Sequence, residues 1–409
     1  MSEIKVLQRD KCRVCGGSKL INWVHLPSMP LTDDLRFSGE GHKDFLYDID
    51  VYFCSDCHTS QILHDIDYHG YYLDYNFTVA GSPFASNYMA RLAQATFDQY
   101  HLPAGCTVVE VGSGDGKQLS CFKKLGARVF GYEPSASLCR ASEAIGIPVH
   151  QGLFDEHSIN DIPEEFRPAD VLLLTYTFDH IPEPVTFLET ARRLLNPETG
   201  LLIIEVHDLE KIMERREYCL FEHEHSIYLS ARTMQNVLAR SGFSLLSTDL
   251  LEETEKRGNS LLIVAANSAS VHAQQALSDA ATGCSDEWSN YQAFNDKMAE
   301  SISRLDAFVD AQEAAGLRVA GYGAGGRGVM TLAAMRSAGK LKYLCDGNPA
   351  FHGRQTPKTH IPIVSPEKLA DDPVDVLLVF SFGYIDEIRA KVANFPHAPA
   401  RIVSLLEIL

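Results

Sequence analysis

Residues 107–119 read T-V-V-E-V-G-S-G-D-G-K-Q-L, and no other segment restricts the possible folds of this chain as strongly. The β-branched apolar run suits a buried strand, the glycines permit a tight turn, and S-C-F-K-K-L-G beyond them suits a helix. Strand, glycine turn and helix in that order open an α/β domain whose backbone can approach a ligand closely. A second apolar run, A-R-V-F-G-Y-E at 127–133, ends in Glu133, an acid placed to accept hydrogen bonds from both hydroxyls of an adenosine ribose. The loop E-V-G-S-G-D-G departs from the dinucleotide pattern G-x-G-x-x-G. Its leading acid, Glu110, suits the cationic amino-acid part of S-adenosylmethionine better than a pyrophosphate. A Rossmann-like core for another nucleotide is the competing reading of the same residues.

The alternation continues along the chain. V-L-L-L-T-Y-T at 171–177 reads as a strand, Val185 to Leu195 as a helix and L-L-I-I-E-V at 201–206 as another strand. Strands alternating with helices imply a parallel sheet with ligands at the carboxyl ends of the strands. Gly112 to Gly116, Glu133, Thr177 to His180 and Glu205 to Asp208 are therefore expected around one crevice.

Ahead of this domain stand two cysteine pairs, C-R-V-C-G-G at 12–17 and F-C-S-D-C-H at 53–58. Each C-x2-C turn offers two thiolates, and two such turns can surround one tetrahedral ion. Cys12, Cys15, Cys54 and Cys57 are thus the expected metal ligands. Four protein ligands leave no open position, so the zinc would be structural. His58, beside the second pair, is not needed as a ligand. Two unrelated pairs of core cysteines or two short-range disulfides would be the alternative. The remaining cysteines are scattered singly and fit small buried apolar positions in a reducing compartment.

A third segment follows a polar stretch and an expected long helix over about 286–315. L-R-V-A-G-Y-G-A-G-G-R-G begins a second βαβ pattern, in which Gly321, Gly323 and Gly326 satisfy G-x-G-x-x-G and Asp346 follows at the end of K-Y-L-C-D. On its own this pattern fits NAD, but a single such motif is weak evidence. A Rossmann-like domain without a dinucleotide, whose loop turns tightly or touches a substrate phosphate, is the preferred reading. Arg327 puts a positive charge at the start of the helix.

Bulk composition narrows the partners. Hydrophobic residues make up 45% and charged residues 22% of 409, ordinary for a globular chain of two or three domains. A net charge of −18, from 54 acidic and 36 basic residues, disfavours nucleic acid as a partner. No apolar run approaches a membrane span, and M-S-E-I-K-V-L-Q-R-D-K-C has no apolar signal core. A cytoplasmic protein without membrane partners, monomeric or homodimeric, is expected.

Several motifs together resemble the nucleotide-sugar C-methyltransferases of deoxysugar biosynthesis. They are C-R-V-C-G-G, S-M-P-L-T-D-D, F-C-S-D-C, V-V-E-V-G-S-G-D-G, Y-E-P-S-A-S, D-H-I-P-E-P, H-E-H-S-I-Y-L-S at 223–230, G-Y-G-A-G-G-R-G, C-D-G-N-P-A-F-H-G-R and T-H-I-P-I-V-S-P-E. The resemblance implies an α/β protein of three parts. A small zinc-binding domain would span 1–75, a class I S-adenosylmethionine-binding Rossmann-like domain 76–268, and a second Rossmann-like domain 269–409 that helps to bind a nucleotide sugar. It implies Glu110, Gly112, Gly114, Asp115, Glu133 and Thr177 toward the methyl donor. It implies Tyr322, Gly323, Arg327, Asp346 and Arg354 toward the nucleotide side of the substrate, in place of NAD.

The same resemblance makes His225 the base, Glu224 a holder of sugar hydroxyls, His180 a proton-transfer partner and Tyr75 a residue lining the methyl-transfer site. A histidine can take a proton from carbon beside a ketone, provided the enolate oxygen is stabilised. Alternate spacing on a strand would put His223 and His225 on one face, which also suits two packing histidines. Two positions depart from the family pattern. Glu222 stands where a tyrosine is usual, adding negative charge beside the base, and Thr177 stands where asparagine is frequent. Epimerisation or isomerisation on the same scaffold, with the adenosyl ligand unreacted, stays open because of Glu222.

Overall fold

The computed structural model describes residues 4–39, 43–66, 83–275 and 288–409. Tyr75 and Cys284 lie outside them. The chain folds as two compact units that are each discontinuous in sequence. One comprises Met1–Ile21, Phe53–Leu209 and His225–Asp286, the other Asn22–Tyr52, Glu210–Glu224 and Glu287–Leu409. Among the described residues no helix is long and apolar enough to cross a membrane.

A seven-stranded sheet forms the centre of the first unit. Its spatial order is Phe243–Ser247, Leu261–Asn267, Leu201–Val206, Val171–Thr175, Thr107–Val111, Arg128–Glu133 and Val149–Gln151. The five strands from Thr107 to Val206 run parallel, and Leu261–Asn267 runs antiparallel to both of its neighbours. The continuous apolar character of V-L-L-L-T and L-L-I-I-E-V follows from burial on both faces. Val108, Val171, Leu173, Leu201 and Ile203 pack into the core on one side, and Val109, Val111, Leu172, Leu174, Leu202 and Ile204 into the core on the other.

The expected helix after the glycine loop is Lys117–Lys124, and the one expected over 185–195 is Pro184–Leu194, with its proline in the first turn where the missing N–H is not needed. The strand expected over 171–177 stops at Thr175, because Tyr176 takes a left-handed φ of 52° and turns the chain.

A five-stranded parallel sheet organises the second unit, in the order Ile363–Val364, Leu344–Cys345, Val319–Tyr322, Val376–Val379 and Arg401–Ser404. Its alternating apolar residues, Ala320, Tyr322, Leu377 and Val379 among them, pack against Leu369, Ile388 and Val392. The long helix expected over 286–315 is two helices, Trp288–Gln292 and Phe294–Ala314. Trp23 joins the three segments of this unit, meeting Phe221, Tyr291 and Phe294 edge-on at ring distances of 5.6, 4.9 and 5.4 Å.

Candidate active site

The four paired cysteines converge. Cys12 and Cys57 sulfurs lie 3.5 Å apart and those of Cys15 and Cys54 3.6 Å, too far for disulfides and close enough for one shared ion. Each pair sits in the same kind of turn. The residue after the second cysteine, Gly16 in one and His58 in the other, has a left-handed φ of 71° or 62° and bonds back to the first cysteine's carbonyl. His58 is therefore a turn residue. A hydrogen bond from the Cys57 thiol holds Cys12 down to about 4, while the same bond pushes Cys57 up. The cluster cannot carry four anionic sulfurs without a cation, and its donor set fits zinc with no open position.

This centre is tied to the rest of the unit by Arg13, which sits between the two cysteines of the first turn. Its buried guanidinium donates to the carbonyls of Pro182 (2.7 Å) and Ile62 (2.8 Å) and pairs with Asp65 at 3.2 Å. Gln61 accepts from the Arg13 amide and donates to the Cys12 sulfur at 3.0 Å. The strand carrying Gln61 pairs with Ile227–Tyr228, which begins two residues after His225.

The donor loop has the conformation its glycines imply. Gly112, Gly114 and Gly116 have φ of 73°, 53° and 76°. A Cβ on Gly112 would overlap the Thr177 hydroxyl, whereas the position over Gly114 is open, a gap that a ligand can fill. Glu133 is buried, one oxygen accepting the Gly114 amide at 2.9 Å and the other the Ser135 amide at 2.8 Å. Asp115 accepts the Lys117 amide in the first turn of the following helix.

Glu110 is fully buried, and its Oε2 has no hydrogen-bond partner among the described residues. Burial raises its carboxyl to about 8, against the hydrogen bond from Thr175 and the charge of Arg257. An orphaned acid beside an open backbone cradle fits the ammonium and adenosine parts of S-adenosylmethionine.

Arg257 is a residue the sequence reading passed over. It forms a two-point ion pair with buried Glu205 (2.5 and 3.2 Å) between the rings of Tyr88 and Tyr176, 4.4 and 4.7 Å away. No motif marked it, since K-R-G-N-S gives no sign of what it faces.

At the carboxyl ends of the neighbouring strands the chain gathers one acid and three histidines. Asp179 Oδ2 lies 3.2 Å from His207 Nδ1 and 4.0 Å from His225 Nε2, and Oδ1 lies 3.9 Å from His180 Nε2. The His180 and His225 rings meet edge-on at 4.9 Å, and those of His207 and His225 are 5.1 Å apart. The H-E-H segment does not form the strand assumed for it. His223 and Glu224 lie in a turn and the strand is only Ile227–Tyr228, so the two histidines share no face.

His223 belongs to the second unit, with its Nε2 3.0 Å from the Met29 carbonyl and its ring edge-on to Phe45. There Glu224 accepts from the Thr32 amide and hydroxyl, and the Glu222 carboxylate packs on the α-carbon of Gly326. The second glycine loop is braced from within. Asp346 accepts the amides of Ala324 and Asn348, both at 2.7 Å, Gly323 takes a φ of 107°, and Arg327 lies over the Phe382 ring. Arg354 donates to the Leu35 carbonyl and covers Phe37. Tyr322 is buried in the same sheet.

The strand order of the first unit, with its last-placed antiparallel strand inserted beside the parallel five, and the glycine loop with Glu110 and Glu133, define a class I S-adenosylmethionine-dependent methyltransferase. Three family models match in chain order: a zinc binding domain over 12–72, a methyltransferase domain over 84–248 and a C-methyltransferase C-terminal domain over 255–406. The C-methyltransferase NovU of Streptomyces niveus is 26% identical over 96% of this chain and 94% of its own. On these matches the chain is an S-adenosylmethionine-dependent C-methyltransferase with an N-terminal zinc-binding domain.

A protein-L-isoaspartate O-methyltransferase of Chlorobaculum tepidum is 33% identical over 30% of this chain and 56% of its own. Among solved structures, the plantazolicin methyltransferase BpumL with SAH has a TM-score of 0.36 at 14% identity, over 46% of this chain and 85% of that one.

Proposed function

We propose that this enzyme C-methylates a nucleotide-linked keto sugar through an enolate formed by His225. The observation that carries the reading is the buried carboxylate with three imidazoles at the strand ends that also bear the donor loop. An acid–base cluster is what deprotonation of a carbon beside a ketone needs. His225 removes the proton, and His180, its ring 4.9 Å away, is the proton-transfer partner. Glu224 holds sugar hydroxyls, and Glu222 replaces a neutral group with an acid. Glu110, the loop from Gly112 to Asp115, Glu133 and Thr177 hold S-adenosylmethionine, which when bound supplies an electrophilic methyl group. Tyr322, Gly323, Arg327, Asp346 and Arg354 take the nucleotide side of the substrate, as the family resemblance implies.

The test is a panel of nucleotide-linked keto sugars incubated with S-adenosylmethionine bearing a trideuterated methyl, with products read by mass. A labelled methyl on the sugar carbon skeleton is expected for at least one substrate. Solvent deuterium entering the sugar with no methyl transferred would replace this reading with epimerisation on the same scaffold.

A further inference from the structure

Three imidazoles surround one carboxylate, and the reading above gives roles to only two of them. Asp179 stands in the turn Phe178–His180, and its carbonyl accepts the Ser226 amide at 2.7 Å and the Ser226 hydroxyl at 3.0 Å. That pair of bonds anchors Asp179 to the residue next to His225. Burial alone would raise the Asp179 carboxyl, but the hydrogen bond from His207 first, and then the neighbouring His225, hold it well below the usual range. It stays an anion.

A single buried negative charge balances one imidazolium, not three. Burial pushes His180 down to about 4, so it stays neutral. His207 donates from Nδ1 to Oδ2, which a neutral imidazole can do. His225 turns Nε2 toward the same oxygen, 4.0 Å away.

We propose that Asp179 and His207 are positioning residues for proton transfer at His225: Asp179 is the counter-charge to the imidazolium, and His207 aims Oδ2 at it. The logic is that of a carboxylate-oriented base, with one carboxylate shared between two rings. His180, Tyr228 (ring 6.3 Å from His225) and Tyr176 (ring 4.6 Å from His207) are titratable groups that face this assembly. The proposal rests on the function above only in taking His225 as the base.

The experiment is a titration of full-length protein labelled with 15N-histidine, followed by imidazole nitrogen shifts, in the wild type and in Asp179→Asn, His207→Gln and His225→Gln. His207 is expected as the Nδ1–H tautomer. The His225 pKa should fall by about 1–2 units in Asp179→Asn and by less in His207→Gln. A base acts when neutral, so once a substrate is in hand the acid limb of kcat should move to lower pH in Asp179→Asn. Its plateau should drop by about 100-fold, with affinity for S-adenosylmethionine unchanged.

An unchanged His225 titration in both variants overturns the proposal, whatever the substrate proves to be. So does a second zinc per chain, beyond that of the cysteines, lost in Asp179→Asn, for Asp179, His207 and His225 would then be its ligands. If the titrations behave as expected but no sugar is methylated, the function falls and the arrangement of the histidines stands.

Discussion

At the scale of single residues, Glu110 makes the most direct prediction. Its folded value of about 8 lies above the ordinary 4.5, so between those values the folded chain binds a proton that the unfolded chain has released. The sign follows: this group's contribution to stability declines as pH rises through that window. A donor cation placed against Glu110 would expel the proton. Affinity for S-adenosylmethionine should therefore rise between about pH 6 and 8, with proton release visible by calorimetry in buffers of different ionisation heat. Glu110→Gln should bind more weakly and with no linked proton. Binding without proton release in the wild type would place the cation away from Glu110. Glu133→Ala removes the acceptor for two loop amides as well as a ribose partner. Donor affinity should fall about 10- to 100-fold and stability by about 1–3 kcal/mol, read by calorimetry and thermal melts.

At the scale of elements, the glycine loop and the central strands carry different risks. Gly112 has φ 73° and no room for a Cβ beside the Thr177 hydroxyl, so Gly112→Ala should displace the loop or Thr177 and cost most of the donor binding. Gly126, also at positive φ but with open space around it, should tolerate alanine with a loss of only about 1 kcal/mol. On the neighbouring strand, Glu205 is fully buried and depends on Arg257. Arg257→Ala would leave that carboxylate unpaired at a cost of about 3–5 kcal/mol, and Arg257→Lys should restore little because a lysine cannot make the two-point contact. Thermal or urea unfolding of both variants decides this; a wild-type stability for Arg257→Ala would mean that Glu205 is not held by it.

At the scale of the molecule, the cysteine centre reaches the histidine cluster through named contacts. Arg13 leaves the metal turn to hold the Pro182 carbonyl, and Gln61 links the Cys12 sulfur to the strand beside His225. About one zinc per chain should be released on denaturation with a chelator, and Cys57→Ser should lose it. Because the linked segments carry Asp179, His180 and His225, metal loss should abolish turnover while donor binding falls far less. Equal losses of both would show that the centre supports the whole unit and not this corner of it.

Much of this was legible in sequence where chemistry is local. The cysteine spacing, the glycine loop after a strand, Glu110 and Glu133 each depend on a few neighbouring residues, and their geometry follows from spacing and backbone freedom alone. The rule that ligands gather at the carboxyl ends of parallel strands also brings 177–180 and 205–208 together. Within those stretches it did not select Asp179 or His207, because which side chain turns inward depends on a left-handed residue at 176 and a turn at 178–180. The pairing of Arg257 with Glu205, the reach of Arg13 to Pro182 and the division of H-E-H between two units span long stretches of chain. The tertiary structure alone decided them: a buried charge takes whatever partner packing brings within reach, and sequence order carries no record of that distance.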